Sequence, residues 1–146
     1  MPSIEEIPYG SDAYRTVLDF RDQVLRRPLG LSLNSSDTAG EDTQRHFVLK
    51  KADDILAGVI VMKVDNQTAR LRQMWVRQDV AGSGMGRALL AGVEDILQTE
   101  AYRQITLHAR LSVRGFYEKC GYSAEGDVFD EIGMPHIIIT RRIISP

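Results

Sequence analysis

The 146-residue chain reads as an α+β protein built on one mixed sheet, and three observations predict this class. Three strand-like runs follow one another through short turns, one strongly amphipathic segment comes next, and further short strands then alternate with a helix. Hairpin-connected strands pair antiparallel, whereas a strand–helix–strand crossover pairs parallel. The order β-β-β-α-β-α-β-β therefore predicts both pairings in one sheet.

Tyr14, Val17, Leu18, Val24 and Leu25 recur at three- and four-residue steps behind Ser11-Asp12, which predicts a helix over Ser11–Leu25, ended by Pro28-Leu29-Gly30. Asn34–Gln44 carries turn formers and acids without periodicity and is expected to be a loop. The runs Arg45–Lys50, Ile55–Val64 and Thr68–Val76 are separated by Ala52-Asp53-Asp54 and Asp65-Asn66-Gln67, compositions that turn the chain, so a meander is expected. From Met85 to Thr99, the residues Met85, Ala88, Leu89, Val93, Ile96 and Leu97 share one helical face. A strand over Gln104–Ala109, a helix around Val113–Cys120 and strands near Ser123–Phe129 and Pro135–Arg142 complete the prediction. His108 alternates with Ile105, Leu107 and Ala109, and is read as a sheet-face residue without a site role.

Composition narrows the function. The length suits a single domain spanning 1–146, and 43% hydrophobic with 26% charged residues is ordinary for a folded protein. A net charge of −2 without a dense basic tract argues against nucleic acid as the main partner. Cys120 is the single cysteine, so neither a disulfide framework nor a cysteine zinc site is expected, and no metal site is predicted. The first residues, MPSIEEIPYG, lack a basic leader, and no apolar run approaches the roughly 20 residues that span a bilayer. A cytoplasmic protein without a membrane partner is expected.

The most informative segment is Val76–Arg87, which joins a predicted strand to the strongest helix and places Gly82, Gly84 and Gly86 at the helix entry. Free amides at a helix N-terminus and the helix dipole attract phosphate, and glycine lets a ligand approach the backbone. Arg87 in the first turn opposes the dipole, a penalty that a bound polyanion turns into attraction. Gly82-Ser83-Gly84-Met85-Gly86 lacks the third glycine of a dinucleotide fingerprint, and no Gly-Lys-Ser/Thr completes a P-loop. On these residues alone, a turn needed only for a tight corner is the alternative.

With those residues in view, the chain resembles the GNAT superfamily of N-acetyltransferases, whose acetyl-CoA loop reads Arg/Gln-x-x-Gly-x-Gly/Ala. Ala81-Gly82-Ser83-Gly84-Met85-Gly86 takes that place, with Ala81 where the family has Arg or Gln. Gly115-Phe116-Tyr117-Glu118-Lys119-Cys120-Gly121-Tyr122 is similar to the family's Phe-Tyr-Glu-Lys-x-Gly-Phe/Tyr helix. Phe129–His136 resembles the tail of small bacterial members, those of ElaA type included, and Val24–Leu31 is similar to the first helix of related members.

The resemblance implies an acetyl-CoA-dependent N-acetyltransferase acting on a small-molecule or peptide amine. It places Met74, Trp75 and Val76 along the pantetheine arm, with a backbone amide near Val76 on the thioester oxygen. It places Ala81, Gly82, Ser83, Gly84, Met85, Gly86 and Arg87 around the diphosphate. Arg110 stands where the family often has an asparagine or glutamine touching the pantetheine. Tyr117 is the implied general acid beside the cofactor sulfur, and Glu131 and His136 are candidate bases. Each has an ordinary alternative: Tyr117 shares a helical face with Val113, Phe116 and Cys120, Trp75 suits a core, and His136 suits a strand start. A homodimer through the terminal strands is a further expectation. Because Ala81 and Arg110 depart from the family pattern, a non-catalytic acyl-CoA-binding module or a regulatory partner protein is the rival reading.

Overall fold

Ser11 opens the first helix by accepting a hydrogen bond from the Tyr14 amide, as a serine N-cap does. In the computed structural model, which describes residues 2–143, that helix, α1, spans Asp12–Arg21 and then widens into a π turn over Asp22–Arg26. The widening carries Val24, Leu25 and Arg26 sideways, out of the simple helical path that the periodicity predicts. Within the predicted loop, Asn34 caps one short turn of helix, α2 (Ser35–Thr38), through a capping box with Asp37.

The meander is present as β2 (Arg45–Lys51), β3 (Asp54–Lys63) and β4 (Thr68–Val76). An additional strand, β1 (Ser3–Ile7), precedes α1 and pairs antiparallel with β2. Its sequence gives no period-2 signal, because Ile4 and Ile7 are flanked by Glu5 and Glu6. It is held by tertiary contact: Ile4 lies so close to Gly92 that a Cβ there would meet Ile4 Cγ1 at 2.3 Å.

After α3 (Met85–Thr99), β5 (Gln104–Arg110) returns parallel to β4, and α4 (Arg114–Lys119) leads into the hairpin of β6 (Ser123–Glu131) and β7 (Met134–Arg142). The seven-stranded order is β1-β2-β3-β4-β5-β7-β6, with β4–β5 the parallel pair. The mixed α+β sheet predicted from the element order is present.

Helices cover both faces. On one face Leu89, Leu90, Val93 and Leu97 of α3 pack with Ile105, Leu107 and Ile139, each burial worth about 1.5–3 kcal/mol. On the other, Tyr14 and Val17 of α1 pack with Val48, Ile55 and Trp75. Among the described residues no helix is long and apolar enough to cross a membrane.

Candidate active site

The parallel ladder between β4 and β5 runs from Thr68/Gln104 to Leu71/Leu107 and stops, while β4 continues to Val76 and β5 to Arg110. The cause is on β4. Gly58 of β3 faces Trp75 and Ile60 faces Arg72, so Gln73 and Met74 share one residue opposite, and Gln73 adopts a φ of 51°. Such a bulge bends and twists its strand. It is pinned from α1: the Gln73 side-chain oxygen accepts from Arg21 at 3.0 and 3.1 Å, and Arg21 forms a two-pronged pair with Glu41 at 2.6 and 2.7 Å. Arg21 and Glu41 are both fully buried. Beyond the bulge the strands part, and a cleft of about 770 Å³ opens between them.

One end of the cleft is the entrance to α3. Among the described residues no side chain caps this helix; Gly84, with a φ of 87°, is its N-cap, and Gly82 has a φ of 78°. A Cβ added at either glycine would meet nothing within 4 Å, so the backbone here borders open space. Ser83 turns its hydroxyl back onto the Val80 carbonyl, and Arg87 stands exposed at the rim. Gly86 serves another purpose: a Cβ there would lie 3.1 Å from the Phe116 ring, so this glycine lets α4 approach α3.

The middle of the cleft follows β4. The Arg77 amide bonds to Leu56 of β3, and successive amides along a strand point to opposite sides, so the Val76 amide points away from β3 toward the cleft. Met74 and Val76 pack toward the α3 layer, whereas the Trp75 ring is 2% exposed and stacks on Phe20 in the α1 layer. The Trp75 side chain is thus core, and only its backbone runs along the cleft. Tyr117 is buried but lines the same space, and its hydroxyl donates weakly to Met74 Sδ at 3.5 Å. Burial, and then the neighbouring Cys120, push the Tyr117 phenol far above its ordinary value of 10.0, which keeps the proton on oxygen.

At the far end, beneath Leu25 and Arg26, the structure brings together Glu131, His136 and His108. His136 Nδ1 lies 2.9 Å from the Met134 carbonyl, which can only accept, so Nδ1 carries a proton and the neutral ring keeps a lone pair at Nε2. That Nε2 is 3.6 Å from Glu131. His108 Nδ1 lies 2.9 Å from the other Glu131 oxygen and 3.0 Å from Arg70 Nη2, an acceptor and a donor competing for one nitrogen. His108 lies on a sheet face as read, and on that face it also meets Glu131 and Arg70 in the cleft. It shares the less buried face of β5 with Arg110, opposite Ile105, Leu107 and Ala109, and that face is roofed by the π turn. Alternation identified the two faces; it could not tell that the polar one is enclosed. Arg110 crosses the cleft to donate to the Leu25 carbonyl at 2.9 Å.

Residues 28–141 match the family described as Acetyltransferase (GNAT) domain. The chain belongs to the GNAT acetyltransferase family. Membership makes it an acyltransferase with acetyl-CoA-dependent acetyl transfer as its activity. The uncharacterised protein YyaT of Bacillus subtilis is 27% identical over 107 residues, 73% of this chain and 71% of that protein. Among solved GNAT-fold structures, Escherichia coli ElaA aligns with a TM-score of 0.76 at 22% identity, over 97% of this chain and 99% of that one. A GNAT family acetyltransferase from Elizabethkingia anophelis, with acetyl-CoA bound, aligns with a TM-score of 0.74 at 16% identity, over 97% of both chains. These two share the GNAT fold with this chain.

Proposed function

We propose that this GNAT protein transfers acetyl directly from acetyl-CoA to an amine in the cleft between β4 and β5. One observation carries the reading: an uncapped helix entrance, a free strand edge and a protonated phenol lie in sequence along a single channel that ends at Glu131, His136 and His108.

The residues present fit such a co-substrate. The unpaired first-turn amides of α3, beside backbone at Gly82 and Gly84 that borders open space, suit a diphosphate, Ala81 adds no long polar side chain, and Arg87 supplies a cation at the rim. Met74 and Val76 offer an apolar edge for the pantetheine arm beside the Trp75 backbone, with the Val76 amide free to polarise a carbonyl oxygen. Acetyl-CoA supplies the activated thioester and leaves as a thiol.

The chain's own groups manage the protons. His136 Nε2 takes one from the acceptor ammonium, and the Glu131 carboxylate, flanked by His108, stabilises the imidazolium that forms. Tyr117 donates its phenolic proton to the sulfur as the C–S bond breaks and takes one back from the newly acylated nitrogen; among its neighbours the Met74 thioether is a weak acceptor that binds the hydroxyl loosely.

The test is thiol release from acetyl-CoA with a broad amine panel, in wild type and in His136→Ala. Wild type is expected to turn over with at least one amine. The variant should bind acetyl-CoA normally while losing about 10²-fold in kcat, the range of one acid–base catalyst. Full activity in His136→Ala would remove the base assignment; binding without turnover for any amine would favour a non-catalytic acyl-CoA module.

A further inference from the structure

The charge of the cleft is unlike that of the chain. Although the protein carries −2 overall, five arginines line the cleft against two carboxylates. Arg87 lies at the α3 entrance, and Arg26 is paired with Asp37 at 2.9 Å. The other three share the roofed face of the sheet: Arg70 and Arg72 two apart on β4, and Arg110 on β5 beside His136 of β7 in register.

None of the three forms an ion pair among the described residues. Arg72 donates to the Gln44 amide oxygen at 2.7 Å and to the Asp37 main-chain oxygen at 3.4 Å; Arg110 donates to the Leu25 carbonyl. Arg70 reaches His108, and its Nε is buried with no hydrogen-bond partner. Burial depresses the Arg72 and Arg110 guanidiniums, Arg110 also feeling Arg26. Three guanidiniums spending their donors on neutral acceptors, with one N–H unused, are an incomplete arrangement, because this fork matches the two oxygens of an anionic group.

We infer that the acceptor is an amine bearing its own oxyanion, a carboxylate or phosphate, which Arg70, Arg72 and Arg110 hold while the amine reaches Glu131 and His136. This rests on the transfer reading above and names the class of its acceptor. The same arginines disfavour polyamines and lysine-rich peptides, whose extra cations would meet the surplus positive charge.

The experiment compares matched acceptors: β-alanine with β-alaninamide, O-phosphoethanolamine with ethanolamine, and a dipeptide acid with its amide. Two readouts are taken, kcat/KM by thiol release and binding by ligand-observed NMR in the presence of CoA. In wild type the anionic member of at least one pair is expected to lead by about tenfold or more in both, and which pair responds separates carboxylate from phosphate. In Arg70→Gln and Arg72→Gln the lead should shrink to within about threefold, mainly through KM, while Arg72→Lys keeps part of it. An unchanged acetyl-CoA melting shift certifies that the variants are folded. Equal use and binding of charged and neutral members, or a lead untouched by both glutamine variants, overturns the inference. Anion-selective binding lost in the variants but without turnover of any amine leaves the oxyanion site standing and removes the transfer reading.

Discussion

Tyr117 occupies a packing position and, in the proposed reaction, a chemical one. Its ring meets Phe116 and Tyr122 edge-on at 5.1 and 5.8 Å, while its hydroxyl reaches the cleft with a thioether as its acceptor among the described residues. Tyr117→Phe keeps the ring contacts and removes the proton, so kcat is expected to fall by about 10²-fold with acetyl-CoA affinity within about twofold, measured by thiol release and by titration. Equal losses in both would make the residue a packing element. Gly84 is tested against a glycine of like backbone conformation far from the cleft. Gly84→Val and Gly10→Val place a branched side chain at φ 87° and 76°, each with nothing within 4 Å of the new Cβ. Both should lose stability by about 1–2 kcal/mol through left-handed strain. Only Gly84→Val should lose acetyl-CoA affinity, by tenfold or more if its backbone faces the diphosphate.

The bulge of β4 is the element on which the cleft depends, and it is secured by a buried charge pair. Tyr14 donates to Glu41 at 2.6 Å, Arg21 binds Glu41 and Gln73, and so α1, the segment after α2 and β4 are tied at one point. Glu41→Gln leaves the Arg21 charge buried without its counterion, and the expected cost is about 3–5 kcal/mol in denaturant unfolding. The pH dependence follows from the same pair. Burial is the largest influence on Glu41 and would raise its pKa, but hydrogen bonds from Arg21 and Tyr14 and the Arg21 charge outweigh it, leaving the carboxyl below its ordinary value of 4.5. A carboxyl depressed in the folded state contributes stability that is fully present above that ordinary value and is lost as pH falls through the folded pKa. Urea midpoints should therefore hold from pH 7 to about 5 and drop below about 4.5, with a shallower drop in Glu41→Gln.

Across the whole molecule, the cleft divides the sheet into two parts joined at its centre by the short β4–β5 ladder. A ligand touching β4, α3 and α4 together binds the folded state alone, so acetyl-CoA at one hundred times its Kd should add about 2.7 kcal/mol and raise the melting temperature. No shift with acetyl-CoA or CoA would count against the cofactor assignment. Trp75, the single tryptophan, reports on the opposite layer: buried against Phe20 and over Gly58, where a Cβ would lie 2.6 Å from its indole nitrogen, it should emit at short wavelength and shift red on unfolding.

Much of this was legible in the residues. Periodicity located α3 and the meander because their apolar faces bury against neighbours at the repeat of each element, and the glycines between strand and helix marked where α3 begins. β1 was invisible because its two isoleucines, three positions apart, bury on opposite faces of the strand, Ile4 against Gly92 and Ile7 in the α1 layer, which leaves no alternation to read. His108 was read as a sheet-face residue and Arg70 and Arg72 drew no reading, since a one-dimensional pattern separates the faces of a strand without saying what lies over them. The chain's local chemistry thus determined the class of fold and marked the helix entrance proposed to receive the cofactor. Only the folded arrangement decided where the sheet opens and which cations gather there, because a bulge held by Arg21 and Glu41, twenty positions apart, sets that geometry through contacts no local spacing encodes.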